Sequence, residues 1–206
     1  MSLPMRLPYA KEHILGALRA FPEMTWGFVI YRTTYTPQSN LRFPQLINIF
    51  NSNIKTAFFE KPAFEPDNYL DHFRADNERL WARYRPVIMD DPKFNGLSLA
   101  EVRSQFESWV GPEDGDLDAR PQAQKTACLV VDEEVMEVLA DAKPYRTGDY
   151  PAAHESQWVK AVEAYPNGED LEMLKVPISD LWPFWCDVSS AMDLEQVKQE
   201  DGVFLA

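Results

Sequence analysis

WGFVIYRTTY, residues 26–35, is the stretch on which the fold turns. Val29, Ile30, Tyr31 and the Thr33-Thr34 pair are strand formers with no proline among them, and Thr36-Pro37-Gln38-Ser39-Asn40 supplies turn chemistry directly afterwards. The spacing predicts the first strand here, with the rest of the chain laid beside it or over it.

Working outward, Leu41 to Phe59 carries Phe43, Leu46, Ile47, Phe50, Ile54 and Phe58 at three- and four-residue steps, one apolar stripe of a helix packed on a sheet. Pro44 is then expected in its first turn, where a missing N–H costs nothing. Lys61 to Pro66 ends that helix, and a second is expected from Asp67 to about Trp81. Tyr84 to Met89 reads as a short strand, and Pro86 makes it an edge strand. Ser98 followed by Glu101 is a capping-box pattern. The helix it opens has Leu99, Val102, Phe106 and Val110 inward and stops at Gly111-Pro112. Residues 111–124 are acidic and unpatterned, an expected solvated loop. Lys125 to Asp132 reads as an interior strand and Glu133 to Ala140 as a short helix, its first-turn acids matching the helix dipole. Gln157 to Tyr165 is the fourth expected strand. From Ser179 the pattern turns helical, with Leu181, Trp182, Phe184, Trp185, Val188 and Met192 on one aromatic face.

Two strand–helix–strand halves with a helix spliced between them predict an α+β fold of the ferredoxin-like antiparallel kind, with an inserted helix and an extra C-terminal helix. The expectation is a single domain over residues 1–206. Residues 1–25 form an N-terminal extension with Ile14, Leu15 and Leu18 at helical spacing, and 169–206 a C-terminal helical appendage. The first and third strands are expected as the central, co-directional pair, with the second and fourth running the other way. That brings Tyr31, Arg32 and Tyr35 to one edge with Asp132, and Arg83, Arg85 and His154 as neighbours.

The YRTTY strand end (Tyr31–Tyr35), the Asp91–Gly96 stretch leading into a capped helix that ends in Trp109-Val110, and the V-D-E-E strand end (Val131–Glu134) together resemble a family of acidic fungal proteins. The resemblance covers about two thirds of the chain and has no counterpart for Trp182–Cys186. It implies no reaction, ligand or catalytic residue.

Composition narrows the partners. Hydrophobic residues make up 45% and aromatics 13%, enough to fill a core. The formal charge is −13, made of a mildly basic front (residues 1–60, +3) and a strongly acidic remainder (−16). Such a surface repels phosphate backbones and anionic lipid, so neither nucleic acid nor membrane is expected as a partner. No apolar run approaches a membrane span, and the first 25 residues lack a signal-peptide core, so a cytoplasmic location is expected. Cys128 and Cys186 sit in apolar runs and read as reduced thiols.

No phosphate-cradling loop, nucleophile elbow or His/Cys metal spacing occurs, and no cofactor or metal is expected. Glu113, Asp114, Asp116 and Asp118 lack the calcium-loop spacing with its closing Glu. His13, His72 and His154 are isolated in polar surroundings, and only His154 could reach the proposed edge. The candidates are therefore Arg32, Tyr35, Asp132 and His154 for catalysis, and Tyr31, Arg32, Tyr35, Trp182 and Trp185 for ligand contact. Arg32, in an apolar strand, either pairs with Asp132 or offers a guanidinium fork to an anion. Two functions fit. One is a domain binding a small apolar or anionic molecule between the sheet and the aromatic helix, whose catalytic form is a cofactor-independent lyase, isomerase or cyclase. The other is an acidic protein-interaction module using the Trp182–Trp185 face or the 111–124 loop. A homodimer through the open sheet face is a further expectation.

Overall fold

The computed structural model of the chain describes residues 6–61, 65–111, 120–144, 156–166, 173–190, 192, 194–197 and 203–204. These form an α+β fold around a five-stranded mixed sheet. The strands are β1 (Val29–Arg32), β2 (Val87–Met89), β3 (Ala127–Val131), β4 (Trp158–Glu163) and β5 (Leu174–Pro177), in the order β2-β1-β3-β4-β5. β1 is parallel to both β2 and β3, β3 is antiparallel to β4, and β4 is antiparallel to β5.

The first and third strands are the parallel neighbours that the sequence implies, in register Val29↔Cys128 to Arg32↔Val131. The ferredoxin-like antiparallel arrangement does not hold. β2 runs with β1, on its outer side, because helix α2 (Pro37–Phe58) is 22 residues long and carries the chain back to where β1 began. After α3 (Tyr69–His72) and α4 (Arg74–Trp81) the chain re-enters the sheet at Tyr84, which bridges Trp26. A parallel return of this kind requires such a crossover.

Alternation along the strands divides the core in two. Phe28, Ile30, Leu129, Val131, Val159, Ala161, Leu174 and Val176 pack under the helix-rich face, formed by α1 (Tyr9–Ala20), α2, α6 (Gln122–Thr126), α7 (Glu133–Val138) and α8 (Leu181–Ser189). Val29, Tyr31, Cys128, Val130 and Val162 meet Val102, Phe106 and Val110 of α5 (Leu99–Val110) on the other. Ser98 and Glu101 form the capping box that opens α5, and Gly111 at φ +86° closes it. The last helix among the described residues is α9 (Leu194–Val197).

Further sequence expectations are corrected here. α2 starts a turn earlier than its apolar stripe, with Thr36 as N-cap and Pro37 at the first helical position, which leaves Pro44 inside the helix. Gln122 to Gln124, placed in the acidic loop, and Lys125 and Thr126, placed in the following strand, together form α6. The described residues of 169–206 are built into the fold rather than appended to it: β5 is a sheet strand, and Trp182, Phe184 and Trp185 are 7%, 0% and 1% exposed in the main core. The N-terminal extension is likewise built in, with Ala10, Ile14, Leu15 and Leu18 of α1 buried against that core. No helix among the described residues is long and apolar enough to cross a membrane.

Candidate functional site

The carboxyl ends of β1, β2 and β3 lie at one edge of the sheet, and the segment Arg32–Ser39 leaves it to enter α2. Here the same two-residue alternation that builds the core separates residues adjacent in sequence. Arg32 and Thr34 turn to the helix-rich side. Tyr31 turns to the α5 side, its ring 5.5 Å from Phe94 and 6.4 Å from Phe106, and burial drives its phenol pKa well upward.

Arg32 is 5% exposed and its donors go to protein acceptors. Nε donates to Thr34 O at 2.9 Å, Nη2 to Ser39 Oγ at 3.2 Å and to Asn40 Oδ1, and Nη1 pairs with Asp90 Oδ1 at 3.3 Å. Tyr35 stacks on the guanidinium at 4.3 Å, with Phe43 on it at 4.9 Å. Burial first, and Asp90 second, push the Tyr35 phenol up to about 12. The sequence left Arg32 either paired with Asp132 or open to an anion. Instead the register sets Arg32 beside Asp90 at the end of β2, because β2 runs parallel on that side of β1. The fork is filled, and its work is to hold β1, β2 and the start of α2 together.

Asp132 is engaged elsewhere. Its Oδ1 caps α7 by accepting from Val135 N at 3.0 Å, and its Oδ2 meets Lys160 Nζ at 2.5 Å, with Glu134 Oε2 on the same ammonium at 2.6 Å. Burial alone lowers the Lys160 pKa, but the two carboxylates more than reverse it and the net direction is upward. This cluster ties the first turn of α7 to β4. His154 and residues 113–118 lie outside the described residues. Among the described ones, no group of three or more His, Cys, Asp or Glu is placed to hold a metal. Burial raises the pKa of both Cys128 and Cys186, the latter to about 12, so neither is a thiolate near neutral pH.

Trp182 and Trp185 do not reach the rim. They pack 5.8 and 5.6 Å from Trp26, and Trp185 5.0 Å from Phe28, at the start of β1. From Phe28 to Arg32 the strand advances about 13 Å. The space expected between sheet and aromatic helix holds stacked Phe28 and Phe184, with Phe204 against Phe184.

What the carboxyl edge does hold is a pocket of about 430 Å³ between α2 and α7, beside the Arg32 clamp. Thr34, Thr36, Gln38 and Ser39 line it from the β1–α2 turn, Leu41, Arg42 and Gln45 from α2, and Glu133, Met136, Glu137 and Ala140 from α7. Arg42 bridges the two helices. Its Nη1 donates to Gln45 Oε1 at 2.8 Å, and its Nη2 to Leu139 O at 2.9 Å and Ala142 O at 3.2 Å.

No family model, no curated protein and no solved structure matches this chain.

Sequence reasoning pointed to this edge of the sheet and to the turn after β1, but it did not single out the residues that line this pocket. It missed Thr34, Gln45, Glu133 and Glu137. The signals were present: a Thr-Thr strand end running into a capped helix, and V-D-E-E opening another. The helix dipole alone accounted for those acids, so nothing drew attention to the space between the two helices.

Proposed function

We propose that this chain is a small-molecule-binding domain whose ligand sits in the pocket between α2 and α7. The observation that carries the reading is the pocket's position. In sheets with parallel strands, ligands gather beyond the carboxyl ends, where successive strands deliver the chain into helices. β1 and β3 do so side by side here, and both following helices wall the pocket. Its volume falls in the range of metabolite sites, and its lining mixes a few polar groups with Leu41 and Met136. In the catalytic form, a cofactor-independent lyase, isomerase or cyclase, Glu133 or Glu137 moves the proton and Thr34 orients the substrate.

Binding to an anion through Arg32 is disfavoured by the filled fork, and the interaction-module reading loses its aromatic surface because α8 is buried. The test is a metabolite screen by thermal shift and NMR on the full chain. Ala140 is exposed at the pocket mouth, so Ala140→Trp closes the pocket with the core untouched. Ligands that stabilise the native protein should lose their effect in that variant while its circular dichroism is unchanged. Ligands that bind both proteins equally would place the site elsewhere.

A further inference from the structure

We propose that the occupant of the α2/α7 pocket is a zwitterionic amino acid with an apolar side chain. This rests on the pocket being the ligand site and names the class of ligand it takes.

The ground is a pair of walls whose opposite charges the fold leaves unjoined. Arg42 stands on the α2 wall, and Glu133 and Glu137 on the α7 wall. Among the described residues Arg42 meets no carboxylate. Its bonds go to Gln45 Oε1 and to the Leu139 and Ala142 carbonyls, all neutral acceptors. The two carbonyls seat the guanidinium at the carboxyl end of α7, where a cation suits the helix dipole. That structural role does not account for Nε, which is buried and has no acceptor among the described residues. A buried donor left unpaired costs free energy. A guanidinium one acceptor short, with no countercharge, is suited to a carboxylate.

The opposite wall decides what else that ligand carries. Glu133 and Glu137 are exposed, and neither side chain has an ion pair or hydrogen bond among the described residues. The acids alone would not mark a site; Arg42 across from them, with its unpaired Nε, does. A ligand of one sign meets repulsion from one wall: an anion from the acids, a cation from Arg42. A zwitterion meets both walls with the opposite charge, its carboxylate toward Arg42 and its ammonium toward α7. Leu41 and Met136 give an apolar side chain its contact, and a volume of about 430 Å³ accommodates a molecule of that size.

The experiment uses three probes that share one side chain. L-leucine carries both charges, L-leucinamide only the positive one and N-acetyl-L-leucine only the negative one. Each is titrated to about 50 mM, a range suited to so small a fragment, into the isotope-labelled full chain. The solution holds about 0.15 M NaCl, which screens the acidic surface, at about pH 6.5, where the amines are protonated. Leucine should give saturable amide shifts at Gln45 and Met136 and bind about fivefold tighter than either of the others. Glu133→Gln/Glu137→Gln should bring acetyl-leucine level with leucine, and Arg42→Gln should do the same for leucinamide. If Arg42→Gln unseats α7, the double variant decides alone, since both positions are exposed and no bond among the described residues depends on those side chains. Ala140→Trp should abolish the shifts from all three. Leucinamide or acetyl-leucine binding the native chain as tightly as leucine would overturn the ligand class while leaving the pocket standing. So would the absence of a saturable shift at these residues with any probe; the site itself falls only if ligands from the metabolite screen bind Ala140→Trp undiminished.

Discussion

Lys11 is an ammonium 2% exposed with no carboxylate beside it among the described residues. Its Nζ donates to Phe58 O at 2.6 Å and to Asn77 Oδ1 at 3.0 Å, and lies 4.1 Å from the Phe58 ring centre and 5.8 Å from that of Trp182. Neutral acceptors and ring faces repay only part of the lost hydration. Burial therefore lowers its pKa to about 8, with a small opposing effect from Cys186. The folded chain then holds this proton less tightly than the unfolded chain, where lysine titrates near its ordinary value. Between pH 8 and about 10.5 the unfolded state binds more protons, so this group makes stability rise with pH, by roughly 3 kcal/mol at most over that window. Lys11→Met keeps the apolar stem and removes the charge. It should flatten that rise and cost no more than about 1 kcal/mol at pH 7. Urea unfolding at pH 7, 8.5 and 9.5 checks this, and an unchanged slope in the variant would refute it. Arg32 is the contrasting case: equally buried, yet each part of its fork meets an acceptor and its face meets rings.

At the scale of elements, the joint between β1 and β2 is the most constrained. Gly27 has φ +139°, and a Cβ there would stand 2.9 Å from Pro86 N and 3.1 Å from Arg85 C, both backbone atoms that cannot step aside. Around it Trp26 N donates to Arg83 O and Arg85 N to Trp26 O, Val87 N donates to Phe28 O, and Gln124 Nε2 donates to the Gly27 carbonyl at 2.9 Å. Gly27→Ala should cost about 3 kcal/mol, combining backbone strain with a forced separation of the strands. Gly16, in α1 with nothing near its absent Cβ, is the control, and Gly16→Ala should be neutral or slightly stabilising. Chemical denaturation of both variants decides it, since equal effects would mean the joint is not tight. These elements also show what the sequence makes legible. α5 can be read to the residue because a capping box and a glycine stop are local chemistry. β1 and β3 are equally plain as apolar runs. β5 went unread because LKVP is only four residues long and ends in a proline, and its strand state comes from pairing with β4. The direction of β2 was equally out of reach, being set by where α2 to α4 return the chain.

For the whole molecule, that one direction decides which site residues meet. With β2 parallel and outside β1, Asp90 takes Arg32, Asp132 is free to bind Lys160, and the pocket opens between helices rather than under the aromatic face. The carboxyl edge was legible, and its chemistry was not, because strand alternation and register are tertiary facts. Charge acts at this scale as well. A net −13 on 206 residues is mostly surface carboxylate, and its self-repulsion opposes the compact state. The close ion pairs split by exposure: Lys160 with its two acids is largely shielded, while Arg74–Asp71 and Lys93–Asp91 are open to solvent and worth little. Salt therefore relieves the repulsion, removes the weak surface pairs, and acts least on the Lys160–Asp132 pair, whose ammonium is 8% exposed. Raising NaCl from about 0.01 M to 0.5 M shortens the screening length from about 30 Å to about 4 Å. The midpoint of thermal unfolding should rise by about 3 °C. Calorimetry across that range measures it, and a midpoint that fell with salt would mean that attractive surface pairs, not carboxylate repulsion, govern the electrostatics of this fold.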